Sequence, residues 1–256
     1  MPLKLTVLGS GTSSGVPTIG CNCDVCTSKD PRDTRLRPSI LINHTSGNIV
    51  IDTTPDFRAQ MLRSRTTRLD AIVFTHAHAD HILGLDDVRP FNYHQRSRIP
   101  IYVSKTAFST IERMFAYVFD STERSTSVPK LDVHLIDDES FDVLGLKFQP
   151  IPLTHGHQII YGYRFGDVAY LTDHSEIPEA SMERLQNLDV LFLDALRHKP
   201  HPTHSTVEAS TAIAQRLQPR RTYFTHICHD LPHVVTQASL PPGIFMAYDG
   251  LEIEVQ

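Results

Sequence analysis

Short apolar runs alternate with amphipathic stretches along the whole chain. Strand-like runs occur at 3–9 (LKLTVLG), 39–43 (SILIN), 48–52 (NIVID), 70–74 (DAIVF), 168–171 (VAYL), 189–193 (DVLFL) and 251–255 (LEIEV). Polar or turn residues bound each one, as expected for strands of a sheet whose faces are covered. Gly-Asp in YRFGDVAYL and Asp-Gly in MAYDGLEI mark turns between strands. Residues 105–119 place Phe108, Ile111, Met114 or Phe115, and Val118 on one stripe, which predicts a helix packed on a sheet. A second helix is predicted over 206–217, capped by Ser205 or Thr206. No Gly/Ser linker, repeat or low-complexity tract divides the 256 residues, so the expectation is a single α/β domain over 1–256.

Composition and charge narrow the function. A net charge of −5 with 21% charged residues gives no basic footprint for nucleic acid. No apolar run approaches a bilayer's thickness. The start, MPLKLTVLGSGTSSG, runs into a strand rather than a charged and then long apolar leader, so a cytoplasmic location is expected. Three of the four cysteines, Cys21, Cys23 and Cys26, crowd into six positions, which favours metal over a disulfide framework. The unusual count is fifteen histidines, many beside carboxylates.

A short recurrence organises them. The pattern [Phe/Leu]-Thr-[His/Asp] ends an apolar run four times, at 74–76, 153–155, 171–173 and 224–226. Strands lying together would bring His76, His155, Asp173 and His226 out along one edge. The first copy extends into FTHAHADHILGL, where His76 and His78 can reach one ion while Asp80 and His81 reach another.

This His-x-His-x-Asp-His run resembles the metallo-β-lactamase superfamily, whose fold is an αββα sandwich with metals at one edge of two sheets. The resemblance implies His76, His78 and His155 as ligands of a first ion. It implies Asp80, His81 and His226 for a second, with Asp173 bridging. His157 rivals His155, and the strand-end frame favours His155. His174 is expected to have a supporting role. Asp52, in VIDTTPD, matches the superfamily's buried Asp-Thr and is read as a carboxylate that orients a ligand histidine. A bridging aspartate resembles the binuclear hydrolases of phosphodiesters and thioesters. Two divalent ions, Mn2+ or Zn2+, are expected there, with iron also suited to such ligands.

The run LGSGTSSGVPTIGCNCDVC together with THICHD resembles the phosphoribosyl cyclic phosphate phosphodiesterase branch. That resemblance implies a structural Zn2+ held by Cys21, Cys23, Cys26 and His229. Cys228 is the rival fourth ligand and is expected to be an inert buried thiol. The same branch, and transfer-RNA 3′-processing enzymes with their His-Ser-Thr segment, imply His204 as general acid. Asp194 would hydrogen-bond it, since a carboxylate beside an imidazole favours its protonated form. His204, Asp194 and Asp80 are thus the expected catalytic residues. The plainer reading of His204 is a helix cap; His198 and His201 are weaker acids, and Arg197 either meets phosphate or is solvated.

The expected reaction is hydrolysis of a small cyclic phosphodiester, phosphoribosyl 1,2-cyclic phosphate first, by a hydroxide between two ions. A transfer-RNA 3′-processing activity is the alternative. Those enzymes commonly carry a glycine-rich arm, whereas residues 82–154 hold only Gly84 and Gly145. A non-catalytic ligand-binding relative, like the pyrroloquinoline quinone biosynthesis protein, is a second alternative, and a thioester hydrolase a third. The expected partner is a small phosphodiester, with neither membrane nor nucleic acid; a homodimer is left open. Asp86, Arg89, Tyr93 and His94 are candidates for either the substrate pocket or the surface.

Overall fold

Alternation inside the apolar runs decides the architecture. The protein is described by a computed structural model covering residues 3–120 and 127–255. Its strands are β1 (Leu3–Gly9), β2 (Ser39–His44), β3 (Gly47–Ile51), β4 (Ala71–Val73), β5 (Ile99–Ser104), β6 (Leu131–Ile136) and β7 (Phe141–Val143). There follow β8 (Leu146–His155), β9 (Gln158–Phe165), β10 (Val168–Leu171), β11 (Val190–Asp194), β12 (Arg221–Thr225), β13 (Ile244–Met246) and β14 (Glu252–Val255). Among the described residues they form two sheets, ordered β14-β1-β2-β3-β4-β5-β6 and β13-β12-β11-β10-β9-β8-β7.

Ile49, Ile51, Val73, Val190 and Phe192 point into the space between the sheets. Their neighbours Val50, Ile72 and Phe74 face outward beneath helices that contribute Phe57, Ile82 and Ile111. Leu191 and Leu193 likewise face helices that supply Val207 and Leu217. At these central strands both faces are therefore buried, which is why they read as nearly continuous apolar runs. The layers are helix, sheet, sheet, helix: a metallo-β-lactamase fold, as the His-x-His-x-Asp-His motif implied.

One local expectation is corrected. The stripe over 105–119 is not one helix but two, Lys105–Met114 and Ala116–Phe119, with Phe115 between them at φ −114°, ψ 40°. Leaving helical geometry there buries Phe115 and leaves Met114 at 44% exposure. The Asp249-Gly250 turn lies between strands as expected, and the strands it joins, β13 and β14, lie at the edges of different sheets. Asp249 Oδ1 accepts from the Ser10 N–H and hydroxyl, both at 2.8 Å, and Gly250 N–H donates to Val7 O. Those bonds carry the chain across to the first sheet. The Gly166-Asp167 turn does close a hairpin, between β9 and β10. Helix Val207–Leu217 starts as expected, Thr206 Oγ1 accepting from Ala209 N–H at 3.1 Å.

One glycine is required by close approach. Gly84 follows the histidine motif, and a Cβ there would lie 2.0 Å from Thr54 O. The segment carrying Asp80 and His81 thereby packs directly on the chain that follows Asp52.

Arg35 is fully buried and ties the amino-terminal loop to the segment after β12. Its guanidinium donates to Asp33 Oδ1 (3.0 Å), Cys228 O (2.8 Å) and Leu231 O (2.6 Å). Removing one partner of a buried pair leaves the other uncompensated, at about 3–5 kcal/mol. Arg35→Met should lower stability by about that amount in equilibrium urea denaturation. A loss below about 1 kcal/mol would show that the ion pair does not hold this junction.

Candidate metal centre

Strand direction sets out the site. β3 and β4 run parallel, as do β10, β11 and β12, so their carboxyl ends open on common edges. Asp52 follows β3, His76 follows β4, His155 ends β8, Asp173 follows β10, Asp194 ends β11 and His226 follows β12. Three of these, Asp52 (φ 66°), Asp173 (φ 58°) and His226 (φ 57°), hold left-handed backbone that non-glycine residues seldom adopt. Such strain, about 1–3 kcal/mol each, concentrates where side chains must be aimed.

The aimed side chains meet in two clusters. Ligand atoms of His76, His78 and His155 lie within 4.8 Å of one another, and so do those of Asp80, His81, Asp173 and His226. Asp173 also groups with His155 and His204, so it stands between the clusters. His76 Nε2 is 3.0 Å from His78 Nδ1. His81 Nε2 is 3.3 Å from Asp80 and 3.2 Å from Asp173, and His226 Nε2 is 3.1 Å from Asp173. Yet neither of these buried Nε2 atoms makes a well-directed hydrogen bond to a described residue. Donor atoms that crowd together without facing each other suit shared cations between them. Burial holds the His76 imidazole well below its ordinary pKa, the neutral form a metal needs. Burial also opposes charge on His226, but Asp173 and Asp80 overcome it and raise that ring to about 10. Burial likewise works against His81⁺, and Asp173, Asp80 and Asp52 together raise its pKa well above normal. The second cluster thus draws positive charge, and its mixed imidazole and carboxylate donors fit divalent ions.

The rear nitrogens are fixed by groups the motifs did not announce. His81 Nδ1 donates to Asp52 Oδ2 at 2.7 Å, the orienting contact expected of Asp52. His155 Nδ1 donates to Thr203 O at 2.8 Å. Thr75 gives both its N–H (2.8 Å) and its hydroxyl (2.7 Å) to Asp52, and its Oγ1 lies 3.0 Å from His76 Nδ1. Thr75 was legible as the middle residue of the strand-end pattern; nothing local marked Thr203. His157 is exposed and outside both clusters. His174 is fully buried, with neither ring nitrogen bonded to a described residue, and burial lowers its pKa to about 4.

Cys21, Cys23 and Cys26 converge on His229, their Sγ atoms 3.2, 3.4 and 3.5 Å from its Nδ1. A tetrahedral zinc with Zn–S near 2.3 Å and Zn–N near 2.0 Å separates S from N by about 3.6 Å, so the four donors fit one ion. The Cys26 N–H, followed by His229, pulls the Cys23 thiol down to about 6. Cys228 stands apart, and burial pushes its thiol up to about 11.

His204 Nδ1 donates to the fully buried Asp194 at 2.8 Å, and its ring stacks on His226 with centroids 4.5 Å apart. It does not cap the next helix, since Thr206 does. His198 pairs with Glu208 at 2.6 Å in an exposed position, and His201 contacts the His204 ring at 5.1 Å. Arg197 donates to the carbonyls of Lys199 and Pro200, shaping its own loop. Asp86 and Arg89 pair with each other, and with Tyr93 and His94 they line a cleft of about 480 Å³ whose walls include none of the clustered residues.

The site has counterparts. A family model described as a beta-lactamase superfamily domain matches residues 47–227. Among solved structures, the chain is similar to a new diphosphatase from the PhnP family, at 53% identity and TM-score 0.94, covering 100% of this chain and 98% of that one. The chain belongs to the beta-lactamase superfamily, in its PhnP family. This superfamily member has the metallo-β-lactamase fold. It is also 37% identical over 254 residues to an octanoyltransferase of Porphyromonas gingivalis (strain ATCC BAA-308 / W83), covering 98% of this chain and 51% of that protein. The chain therefore spans about half the length of that relative. Zinc-bound PqqB from Methylobacterium extorquens shares the fold, at 18% identity and TM-score 0.81, covering 98% of this chain and 100% of that one. Among the described residues, no helix is long and apolar enough to cross a membrane.

Two experiments separate the centres. Mild chelation should strip the imidazole and carboxylate clusters first, and elemental analysis should find zinc retained by the four-donor group of three thiolates and His229. Cys23→Ser should reduce that retained zinc and the melting temperature more than the metal-saturated turnover of the folded fraction. Asp173→Asn should do the reverse, because a neutral amide bridges two cations poorly. Lost turnover in Cys23→Ser at normal zinc content and stability would place Cys23 in the chemistry instead.

Proposed function

We propose that this hydrolase cleaves small cyclic phosphodiesters, with phosphoribosyl 1,2-cyclic phosphate the favoured substrate. The observation that carries the reading is the pair His204–Asp194, set beside the residue that joins the two clusters. His76, His78, His155, Asp80, His81, His226 and Asp173 would hold two divalent cations. When bound, such a pair supplies an activated water and neutralises charge on the phosphoryl oxygens.

The chain's own residues do the rest. Asp194 accepts a hydrogen bond from His204 Nδ1–H, which fixes the ring and leaves Nε2 as its second donor atom. As the imidazolium, with a proton on each nitrogen, His204 would give its Nε2 proton to the leaving oxygen as the P–O bond breaks and return to the neutral Nδ1–H form. Thr203 O anchors His155 one residue before the acid, so ligand and acid are placed by one loop. Asp80 completes the second cluster rather than moving a proton, since His81 and His226 surround its carboxylate. The clip of Cys21, Cys23, Cys26 and His229 would hold a structural zinc three residues beyond His226.

A second reading has a specific support: the 53% identical neighbour is a diphosphatase. Hydrolysis of a diphosphate linkage uses the same attack on phosphorus, with a less basic phosphate as leaving group. A panel of phosphoribosyl 1,2-cyclic phosphate, 2′,3′- and 3′,5′-cyclic nucleotides, a diphosphate diester and a precursor transfer RNA decides between these.

The acid is tested by varying the leaving group. His204→Ala should slow an alkyl or ribosyl phosphodiester by about 10²–10⁴-fold, because an alkoxide needs the proton. It should slow bis(p-nitrophenyl) phosphate far less, with metal content and melting temperature near wild type. His198→Ala and His201→Ala should show no such dependence. Equal losses on both substrates would recast His204 as a positioning residue.

A further inference from the structure

Two buried polar groups beside His204 have no part in the proton transfer. Asp194 Oδ2 accepts from His204 Nδ1 at 2.8 Å, whereas Asp194 Oδ1 is buried and bonds to no described residue. His174 is fully buried, and neither of its ring nitrogens bonds to a described residue. Strand register brings the two together, because β10 and β11 are parallel neighbours with Leu171 paired to Leu193. Asp194 is the next residue along β11, and His174 follows soon after Leu171 at the same edge. The His174 segment is pinned there, since Ser175 gives its N–H (2.8 Å) and its hydroxyl (3.0 Å) to Thr154 O. Burial keeps the His174 ring neutral, and among the charges around it Asp194 acts most strongly.

What the second oxygen needs follows from what Asp194 does. A carboxylate fixed through one oxygen can turn about its last side-chain bond. A rival donor is at hand, because His226 Nδ1 is unpaired among the described residues and lies 3.9 Å from Asp194 Oδ2. A second bond at Oδ1 would set the carboxylate plane, and with it the direction in which the His204 ring points. Protein interiors satisfy such an oxygen directly or through enclosed water. His174 makes no direct bond to Asp194, so the bridge that suits both is one water with polar partners on either side. A neutral imidazole serves this place well, since its N–H donates without adding a second buried cation. The buried Tyr170 hydroxyl is also unpaired among the described residues, but of the charges around it Asp52 and Asp173 act ahead of Asp194.

We infer that His174 is a positioning residue for the acid, holding Asp194 Oδ1 through one enclosed water so that the carboxylate aims His204. The inference rests on the acid role proposed above for His204. It adds a residue that belongs to neither cluster of candidate ligands.

The test uses the full chain loaded with zinc. His174→Leu should slow an alkyl phosphodiester by about ten- to hundredfold, the worth of one hydrogen bond to a charged group, and bis(p-nitrophenyl) phosphate by less than about threefold. His174→Phe, which keeps a ring, repeats the measurement if the leucine variant does not fold. In a His204→Ala background the same substitution should cost nothing further on the alkyl diester, because no acid is left to position. His174→Asn and His174→Gln each imitate one ring nitrogen, and at least one should restore part of the lost rate. Tyr170→Phe should leave the ratio of the two substrates unchanged. Equal losses on both substrates, additive losses with His204→Ala, or rescue by neither amide overturns the inference. A readout without turnover is the His204 Nδ1–H proton, seen by NMR and assigned by its loss in His204→Ala. Its exchange with solvent should be at least about tenfold faster in His174→Leu than in the wild type; equal exchange also overturns the inference. If the wild type cleaves neither diester, or His204→Ala slows both equally, the reading of the acid fails. Proton exchange alone then decides whether His174 positions His204.

Discussion

A carboxylate with no exposed surface has to be surrounded by donors, and much of the centre is built around satisfying Asp52. Its oxygens take the Thr75 N–H, the Thr75 hydroxyl and the His81 Nδ1–H. Thr75 precedes His76, so one buried charge fixes both a member of the first cluster and the ring plane of a member of the second. The Asp52 N–H and C=O are also engaged, with Val73 O and the Ser39 hydroxyl, so the residue cannot shift without disturbing the first sheet. Even the second sheet reports to this point: the Tyr163 hydroxyl donates to Phe74 O, one residue before Thr75. Aim at the metal edge is thereby a property of the packed sandwich rather than of a loop.

Strain at the strand ends needs comparable restraint. His226 holds left-handed backbone, and the next residue, Ile227, is gripped from both sides by the amino-terminal loop. Its N–H donates to Ser10 O, and its carbonyl accepts from Thr12 N–H. Ser10 in turn is held by Asp249, near the other end of the chain. Beyond Ile227, Arg35 binds the carbonyls of Cys228 and Leu231, and the cysteine clip gathers His229. Three independent anchors therefore act on six residues. The gathering of three thiols on His229 makes sense in these terms, as one more fixed point behind the strained His226.

Features encoded over a few neighbouring residues were legible in the sequence. The repeated Phe/Leu-Thr-His/Asp pattern located the strand ends, because a strand that stops at a fixed frame puts its last side chain at a fixed place. Clustered cysteines announced the group that gathers on His229, and Thr206 announced a helix start. Features made by distant segments were hidden. Nothing near Asp249 signals that it reaches Ser10, 239 positions away, so the crossing to the other sheet was hidden behind an ordinary Asp-Gly turn. The kink at Phe115 was hidden too, because Met114 and Phe115 satisfy the same helical stripe and only the sheet beneath chooses between them. A small cleft beside His76 and His78 takes its walls from three separated segments, so no one stretch of sequence contains it.

Asp194 shows why His204 and the two clusters are not separable modules. It ends β11, between the strands that deliver Asp173 and His226, and is fully buried there. One oxygen binds His204, and the same oxygen lies 3.9 Å from His226 Nδ1, which has no hydrogen-bond partner of its own among the described residues. Rotating this carboxylate toward His226 would release His204, and holding His204 leaves His226 oriented mainly by its strained backbone and its neighbours. The stacked His204 and His226 rings, with planes 13° apart, reinforce that arrangement by packing one imidazole on the other. Backbone strain at His226 and a shared carboxylate at Asp194 are thus two halves of one solution. The strand end aims His226, which leaves the carboxylate free to aim His204.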